Sequence, residues 1–290
     1  MTEIRIAQAR ETGRQKEIWK RCFGDENIYI DRYFEHRYRA EETALALVDG
    51  QIASMLTMLP VTFHSAMGES LRGAMIYAVA THPDYRGKGL ANRVMDFADR
   101  YLSSQEVGMT LLVPASAGLF DFYAKRGYTR RFYVREGLVN RGELDCACEG
   151  CTVAPARPEE YNQLREHLLA GSCYVGHSVL DLSYQKMSSQ ASGCDIYRLC
   201  WRGQIGCAIA ERLSPQRVAI KELLVNDDML PAALSALAER LTAQDYLLRL
   251  PQDKGSAWGG KVRCLGVSKP TGEADFLPAD ETGYLGICFD

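Results

Sequence analysis

The chain repeats its own pattern, and that constrains its fold more than any single motif. TALALVDGQIASMLTMLPVTF (43–63) reads as two strands joined at Asp49-Gly50, a strong hairpin signal. YRLCWRGQIGCAIAERL (197–213) reads the same way, with Arg202-Gly203-Gln204-Ile205 echoing Asp49-Gly50-Gln51-Ile52. A third strand follows in each half, MIYAVAT (75–81) and VAIKELLV (218–225). An amphipathic helix comes next. Its apolar stripe is Leu90, Val94, Phe97, Ala98 and Tyr101 in the first half. In the second it is Leu230, Leu234, Leu237, Ala238 and Leu241, each displaced by 230 − 90 = 140 residues. MTLLVP (109–114) and YLLRLP (246–251) close the two series as strands. The pattern predicts an internal duplication of an α/β unit, with domains at 1–142 and 153–290 and a linker at 143–152. In the first half, LFDFYAKRG (119–127) reads as a short helix stopped by Gly127, and YTRRFYV (128–134) as a final strand. In the second, TVAPA (152–156) precedes a helix with Pro158 near its start and Gly171 at its end.

The halves differ where the third strand meets the helix. The first has HPDYRGKGLA (82–91); the second has the shorter, glycine-free NDDMLP (226–231), with two aspartates. Glycines ahead of a helix let the backbone approach oxygen atoms and adopt positive φ angles. The helix N-terminus itself carries unpaired N–H groups and the positive end of the macrodipole. With Arg86 and Lys88 alongside, the first loop suits a pyrophosphate, against the plainer reading of a solvated loop that caps a helix. The loop fails both common nucleotide patterns. A dinucleotide fingerprint needs a third glycine where Asn92 stands, and a Walker loop needs Lys-Ser/Thr where Leu90 follows Gly89.

Arg86-Gly87-Lys88-Gly89-Leu90-Ala91 fits R-x-x-G-x-[GA], and FDFYAKRGY (120–128) fits FY-x-x-x-G-[FY]. On these two stretches the first half resembles the GNAT superfamily of N-acetyltransferases, across most of residues 1–140. The duplicated plan further resembles the branch related to the enhanced-intracellular-survival aminoglycoside acetyltransferases. Those proteins add a sterol-carrier-like domain for which 290 residues leave no room. The resemblance implies two tandem GNAT-like domains, each a mixed, mostly antiparallel sheet flanked by helices, the second degenerate. It implies acetyl-CoA as co-substrate, with no metal, and a small-molecule or peptide amine as acceptor.

Residue by residue, the resemblance implies that Val79, Ala80 and Thr81 pair with the pantetheine arm. The N–H groups of Gly87, Lys88, Gly89, Leu90, Ala91 and Asn92 would cradle the pyrophosphate beside Arg86. Ser116, seven residues before Tyr123, would touch the cofactor, and Tyr123 would protonate the departing thiolate. A thiol near pKa ~8.5 and a phenol near ~10 make that pairing chemically sensible. Tyr123 also fits a half-buried packing role beside Phe120 and Phe122.

The general base is less defined. MIYAVAT holds no carboxylate. His82, ahead of Pro83, is a candidate base or a turn-orienting residue. In the aminoglycoside-modifying relatives the C-terminal carboxylate enters the active site, which makes Asp290 a candidate here; YLGICFD also reads as a last strand of the second domain. The stretch WKRCFGDENIYIDRYFEHRY (19–38) suits either a lid over the acceptor, with Asp25, Glu26 and Glu35 as contacts, or packed core. An acyl-CoA-binding sensor or adaptor without turnover is the alternative function.

The remaining features set bounds. A net charge of −3 argues against nucleic-acid binding, which usually needs a basic face. The N-terminal MTEIRIAQARETGRQKEIWK lacks the apolar core of a secretory signal, and no apolar run approaches a membrane span of about 18 residues. A cytoplasmic protein without a membrane partner is expected. Among ten cysteines, Cys146, Cys148 and Cys151 stand in C-x-C-x2-C spacing, with Cys173 or Cys194 available as a distant fourth ligand. The spacing lacks the paired arms of common zinc ribbons and equally suits an inter-domain segment that carries thiols.

Overall fold

The computed structural model describes residues 1–144, 150–272 and 281–289. The chain forms two units. The first comprises 1–63, 70–129 and 267–279; the second comprises 64–69, 130–266 and 280–290.

The first unit begins with strand β1 (Thr2–Ile6), helices α1 (Thr12–Phe23) and α2 (Asn27–His36), and strands β2 (Thr43–Val48), β3 (Gln51–His64) and β4 (Ser70–Thr81). Helix α3 (Leu90–Ser104), strand β5 (Met109–Leu112) and helix α4 (Ala117–Ala124) follow. The sheet runs β1-β2-β3-β4-β5. β1–β2 and β2–β3 are antiparallel, whereas β4–β5 is parallel. The predicted hairpin is present: Asp49 and Gly50 take φ of 49° and 79°, the paired positive angles of a type I′ turn. α1 stops at Gly24, left-handed at φ 80°, whose N–H bonds back to the Lys20 carbonyl.

The second unit is built from β6 (Thr129–Asn140), β7 (Thr152–Pro155), α5 (Pro158–Leu169), β8 (Tyr174–Gly176), α6 (Val179–Ala191), β9 (Ile196–Trp201) and β10 (Gln204–Ser214). It continues through β11 (Arg217–Leu224), α7 (Leu230–Arg240), β12 (Asp245–Pro251) and β13 (Lys261–Pro270). The order β7-β9-β10-β11-β12-β6 again contains one parallel pair, β11–β12, among antiparallel neighbours. The β9–β10 turn repeats the first hairpin, with Arg202 at φ 50° and Gly203 at 80°. The chain therefore carries two tandem α/β copies with mixed, mostly antiparallel sheets.

The last strands are exchanged. β6, which follows the first copy in sequence, pairs antiparallel with β12, while residues 267–270 of β13 pair antiparallel with β5. Apolar periodicity drives the helix packing in both copies. α3 buries Leu90, Val94, Met95, Ala98 and Leu102, and α7 buries Leu230, Ala233, Leu234, Leu237 and Ala238. Leu234 and Leu237 are fully enclosed, so truncating either to alanine would cost about 2–5 kcal/mol. α6 is fixed by a capping box in which Ser178 and Asp181 satisfy each other's backbone N–H groups.

Candidate active site

The loop between β4 and α3 is assembled by local rules. β4 pairs with β5 at Gly73, Ala74 and Met75, opposite Met109, Thr110 and Leu111, and then runs on to Thr81 without a parallel partner. Ala78 takes φ 51°, a left-handed angle that costs a non-glycine residue roughly 1–2 kcal/mol. The strand end is held in place: Ser54 Oγ donates to the Ala80 carbonyl at 2.8 Å, and the His82 N–H donates to Ala53 at 2.9 Å. The Thr81 carbonyl accepts from Arg86 Nε at 3.3 Å and from the Cys22 thiol at 3.2 Å. Val79, Ala80 and Thr81 thus form a fixed strand end.

Pro83–Tyr85 make one 3-10 turn, begun by His82, whose Nδ1 accepts from the Asp84 N–H at 3.3 Å. Gly87 and Gly89 follow at φ 76° and 70°. Gly89 is the residue ahead of α3, and no side chain caps the helix and no acidic residue lies in its first turn. The N–H groups of Leu90, Ala91 and Asn92 therefore have no intrahelical acceptor, as at any helix start. A Cβ built on Gly87 or Gly89 meets nothing within 4 Å, so the backbone here is open to a ligand. Arg86 and Lys88 are exposed beside it, with the Lys88 ammonium 5.2 Å from the Tyr85 ring centroid. The Asn92 side chain is engaged, accepting from Arg126 at 3.1 Å. These residues gather two cationic side chains and unpaired backbone donors at one helix start, chemistry that suits phosphate oxygens.

The corresponding loop of the second copy is closed to anions. Asp227 pairs with Lys254 at 3.6 Å and accepts from the Gly255 N–H at 3.4 Å, while Asp228 accepts from Gln204 at 2.6 Å. α7 starts with Pro231 in its first turn, behind two carboxylates.

Tyr123 lies on α4 at 7% exposure, edge-on to Phe122 and Tyr128 at 5.1 and 5.8 Å. Burial pushes its phenol above the ordinary tyrosine range, and the Arg126 charge opposes this without cancelling it. Arg126, which sequence reading did not single out, bonds Asn92, Asp96 at 2.6 Å and Asp99 at 3.6 Å, tying the end of α4 to α3. Its signal was the basic residue inside FY-x-x-x-G-[FY]. Ser116 is exposed at the start of α4, and its hydroxyl makes no capping bond.

His82 is 2% exposed and is held as a turn residue. Its Nδ1 lone pair receives the Asp84 N–H, so the neutral ring carries its proton on Nε2, which stands 3.6 Å from Glu17 Oε1. Neither nitrogen offers a lone pair for an amine proton.

The aromatic stretch on α1 and α2 is largely packed. Trp19 and Tyr33 are 2% and 1% exposed, and Asp25 accepts the Trp19 indole N–H at 2.7 Å. Glu26 and Glu35 are exposed, Glu35 beside His36. Asp290 lies outside the described residues. The tail before it is buried in the second unit: Tyr284 exchanges backbone bonds with Cys173 and Val175, and Phe289 meets Tyr184 at 5.7 Å. Its strand-like pairing among the described residues is limited to two isolated bridges, Phe132 with Gly283 and Tyr174 with Tyr284.

Cys146 and Cys148 lie outside the described residues. Cys151 is half-buried, and Cys173 is buried and donates to Glu281, which with burial pushes its thiol up to about 11. Among the described residues no three His, Cys, Asp or Glu side chains stand together to hold a metal. No described helix is long and apolar enough to cross a membrane.

The comparisons agree with this architecture. The family model "Acetyltransferase (GNAT) domain" matches residues 3–131. A GCN5-related N-acetyltransferase from Anabaena variabilis superposes with a TM-score of 0.75 at 14% identity, covering 94% of this chain and 73% of that one. Eis1 from Mycobacterium abscessus gives 0.68 at 12% identity, covering 93% and 74%. A tandem GNAT protein from the clavulanic acid biosynthesis pathway gives 0.55 at 12%, covering 95% and 100%. No curated protein matches the chain. The region that matches the GNAT acetyltransferase model holds the exposed glycine loop, the uncapped α3 and the Phe-Tyr helix end, so the resemblance falls on the residues of the candidate site.

Proposed function

We propose that the chain is an acetyl-CoA-dependent N-acetyltransferase that acylates a primary amine, with catalysis in the first copy (1–142) and a degenerate second copy (153–290) joined through 143–152. The carrying observation is the pair of left-handed glycines that expose an uncapped helix start with open space above them. Acetyl-CoA supplies the activated acyl group. Val79 to Thr81 hold its pantetheine arm by backbone pairing, and the N–H groups of Gly87 to Asn92, with Arg86 and Lys88, hold its pyrophosphate. Ser116 adds a hydroxyl at the α4 end. The amine attacks as the neutral base, and Tyr123 gives its proton to the leaving sulfur. Burial keeps that phenol protonated through neutral pH, as the role requires. The protein works in the cytoplasm in this reading.

A second reading, an acyl-CoA sensor without turnover, draws on one observation: β4 carries Tyr77 and no carboxylate, and the buried His82 spends its Nδ1 lone pair on the Asp84 N–H. Calorimetry with acetyl-CoA and a thiol-release screen of amines separate the two. For the enzyme, Tyr123→Phe lowers kcat by roughly 100-fold or more while acetyl-CoA affinity holds. The alkaline limb of its wild-type rate falls above the ordinary tyrosine value of about 10. Tight acetyl-CoA binding with no amine-dependent thiol release selects the sensor.

A further inference from the structure

Tyr123 and the α3 start sit on different elements, and one side chain joins them. Arg126 follows the last turn of α4, where its N–H bonds the Tyr123 carbonyl at 2.9 Å. Its guanidinium crosses to α3: Nη1 donates to Asn92 Oδ1 at 3.1 Å, and Nη2 donates to Asp96 Oδ1 at 2.6 Å and stands 3.6 Å from Asp99 Oδ2. Asn92, Asp96 and Asp99 follow one another at four- and three-residue steps, so they share one face of α3 from its first turn onward. A planar fork of donors matches such a row of acceptors, which the point charge of a lysine does not.

The same row is gripped from its other end. Residues 267–270 pair with β5 and set Lys269 opposite Thr110. Lys269 Nζ donates to Asp99 Oδ2 at 2.6 Å and lies 4.9 Å from the centroid of the Tyr128 ring, which is edge-on to Tyr123. The Tyr128 hydroxyl in turn meets Thr110 Oγ1 at 3.2 Å. Arg126 and Lys269 are only 13% and 12% exposed, so these pairs are shielded more than an ordinary surface bridge. Two cations here meet two carboxylates, which leaves the cluster no net charge with which to hold an anion. Its effect is to fix α4 against α3. That matters because α4 has eight residues, and isolated helices shorter than roughly 12 residues are marginal in water. α3 has fifteen residues and buries five apolar side chains, so it holds its own start.

Resting on the acetyl-transfer reading, we propose that Arg126 is a positioning residue, which fixes the Tyr123 phenol relative to the α3 start, and that Lys269 of the exchanged β13 steadies it through Asp99. A misplacement of about 1 Å at a reacting group costs on the order of 100-fold in rate, so the brace should be visible in kcat. A double-mutant cycle on the full chain tests it, with amine-dependent thiol release from acetyl-CoA, run with the fastest amine of the screen, as the readout. Arg126→Gln loses the fork and should lower kcat by roughly 10- to 100-fold, with acetyl-CoA affinity in calorimetry unchanged. In a Tyr123→Phe background the same substitution should cost almost nothing, because there is no phenol left to place. Lys269→Gln leaves α4 intact and should lower kcat about 3-fold, again only where Tyr123 is present. Losses that multiply in the double variants, or full activity in Arg126→Gln, would mark the cluster as general support for the fold and overturn the proposal. Should Arg126→Gln fail to fold, the Lys269→Gln cycle decides alone, and an unchanged kcat there overturns it. A wild-type chain that binds acetyl-CoA but releases no thiol with any amine removes the acetyl-transfer reading itself, and the proposal with it.

Discussion

Gly89→Ala separates the conformational role of the loop from its ligand-binding role. Gly89 sits at φ 70°, where an alanine pays roughly 1–2 kcal/mol of backbone strain. Its new Cβ would meet no protein atom within 4 Å, so no packing term adds to that cost. The same methyl would project into the open space above the α3 N-terminus, where a pyrophosphate oxygen must lie if the loop is a cradle. Losing one charge-assisted backbone contact there costs about 2–3 kcal/mol, or roughly 30- to 150-fold in affinity. Gly50→Ala is the matched control, because Gly50 has φ 79° and equally empty surroundings in a hairpin turn. Denaturant unfolding should show similar destabilisation for both variants. Calorimetry with acetyl-CoA should show a large affinity loss for Gly89→Ala and none for Gly50→Ala. Equal acetyl-CoA affinity in the two variants would refute the cradle, whatever their stabilities.

Two further outcomes follow from the second unit. Arg165 and Glu222 are fully buried, with Nε 3.1 Å from both carboxylate oxygens, and the guanidinium also donates to the Val175 and Leu285 carbonyls. Arg165→Met strands the carboxylate and should cost about 3–5 kcal/mol in chemical unfolding, with recovery in the Arg165→Met/Glu222→Leu double variant; a loss below about 1 kcal/mol would show that the pair is not a structural lock. Glu136 titrates below the usual carboxylate range: burial opposes this, but the Arg263 hydrogen bond at 2.6 Å and the charges of Arg263 and Arg249 prevail. A depressed folded-state value means its stabilisation is present above the unfolded value near ~4.3 and is lost as pH falls through the folded one. Acid unfolding followed from pH 6 to pH 2 should therefore steepen below about 4.3, and Glu136→Gln should flatten that limb.

What was legible in the sequence was what depends on local chemistry. Asp49-Gly50 and Arg202-Gly203 dictate their turns, and the stripes at 140-residue offset dictate α3 and α7. The glycine loop showed itself because few residues other than glycine tolerate φ near 70°. The exchange of β6 and β13 was not legible, because strand membership is settled by pairing with distant residues, which local alternation does not encode. α6 was overlooked although Ser178-x-x-Asp181 announces it, since SYQKMSSQ carries no strong apolar stripe. The tail's apolar run reads as a strand, yet its Leu285 carbonyl is satisfied by a buried guanidinium rather than by a ladder.

The duplication also explains why the missing carboxylate matters. In both copies the parallel register ends at equivalent residues, Met75 opposite Leu111 and Ile220 opposite Leu248. Two residues farther on, the first copy has Tyr77 and the second has Glu222. Glu222 is clamped by Arg165 and by the Tyr161 hydroxyl at 2.8 Å, and a Cβ on Gly286 would fall 2.1 Å from its Oε2, so the tail backbone closes over it. The second copy thus keeps an acid at this position but uses it to anchor its own core. The first copy keeps the exposed glycine loop and places a phenol at that same position, its hydroxyl 3.4 Å from that of Tyr29. Under the proposed acetyl transfer, Tyr77→Glu becomes an informative gain test. A carboxylate restored beside Tyr29, with Val79 to Thr81 unchanged, should shift acceptor preference toward cationic amines while leaving acetyl-CoA affinity where it was. If preference does not move, β4 is not the acceptor wall.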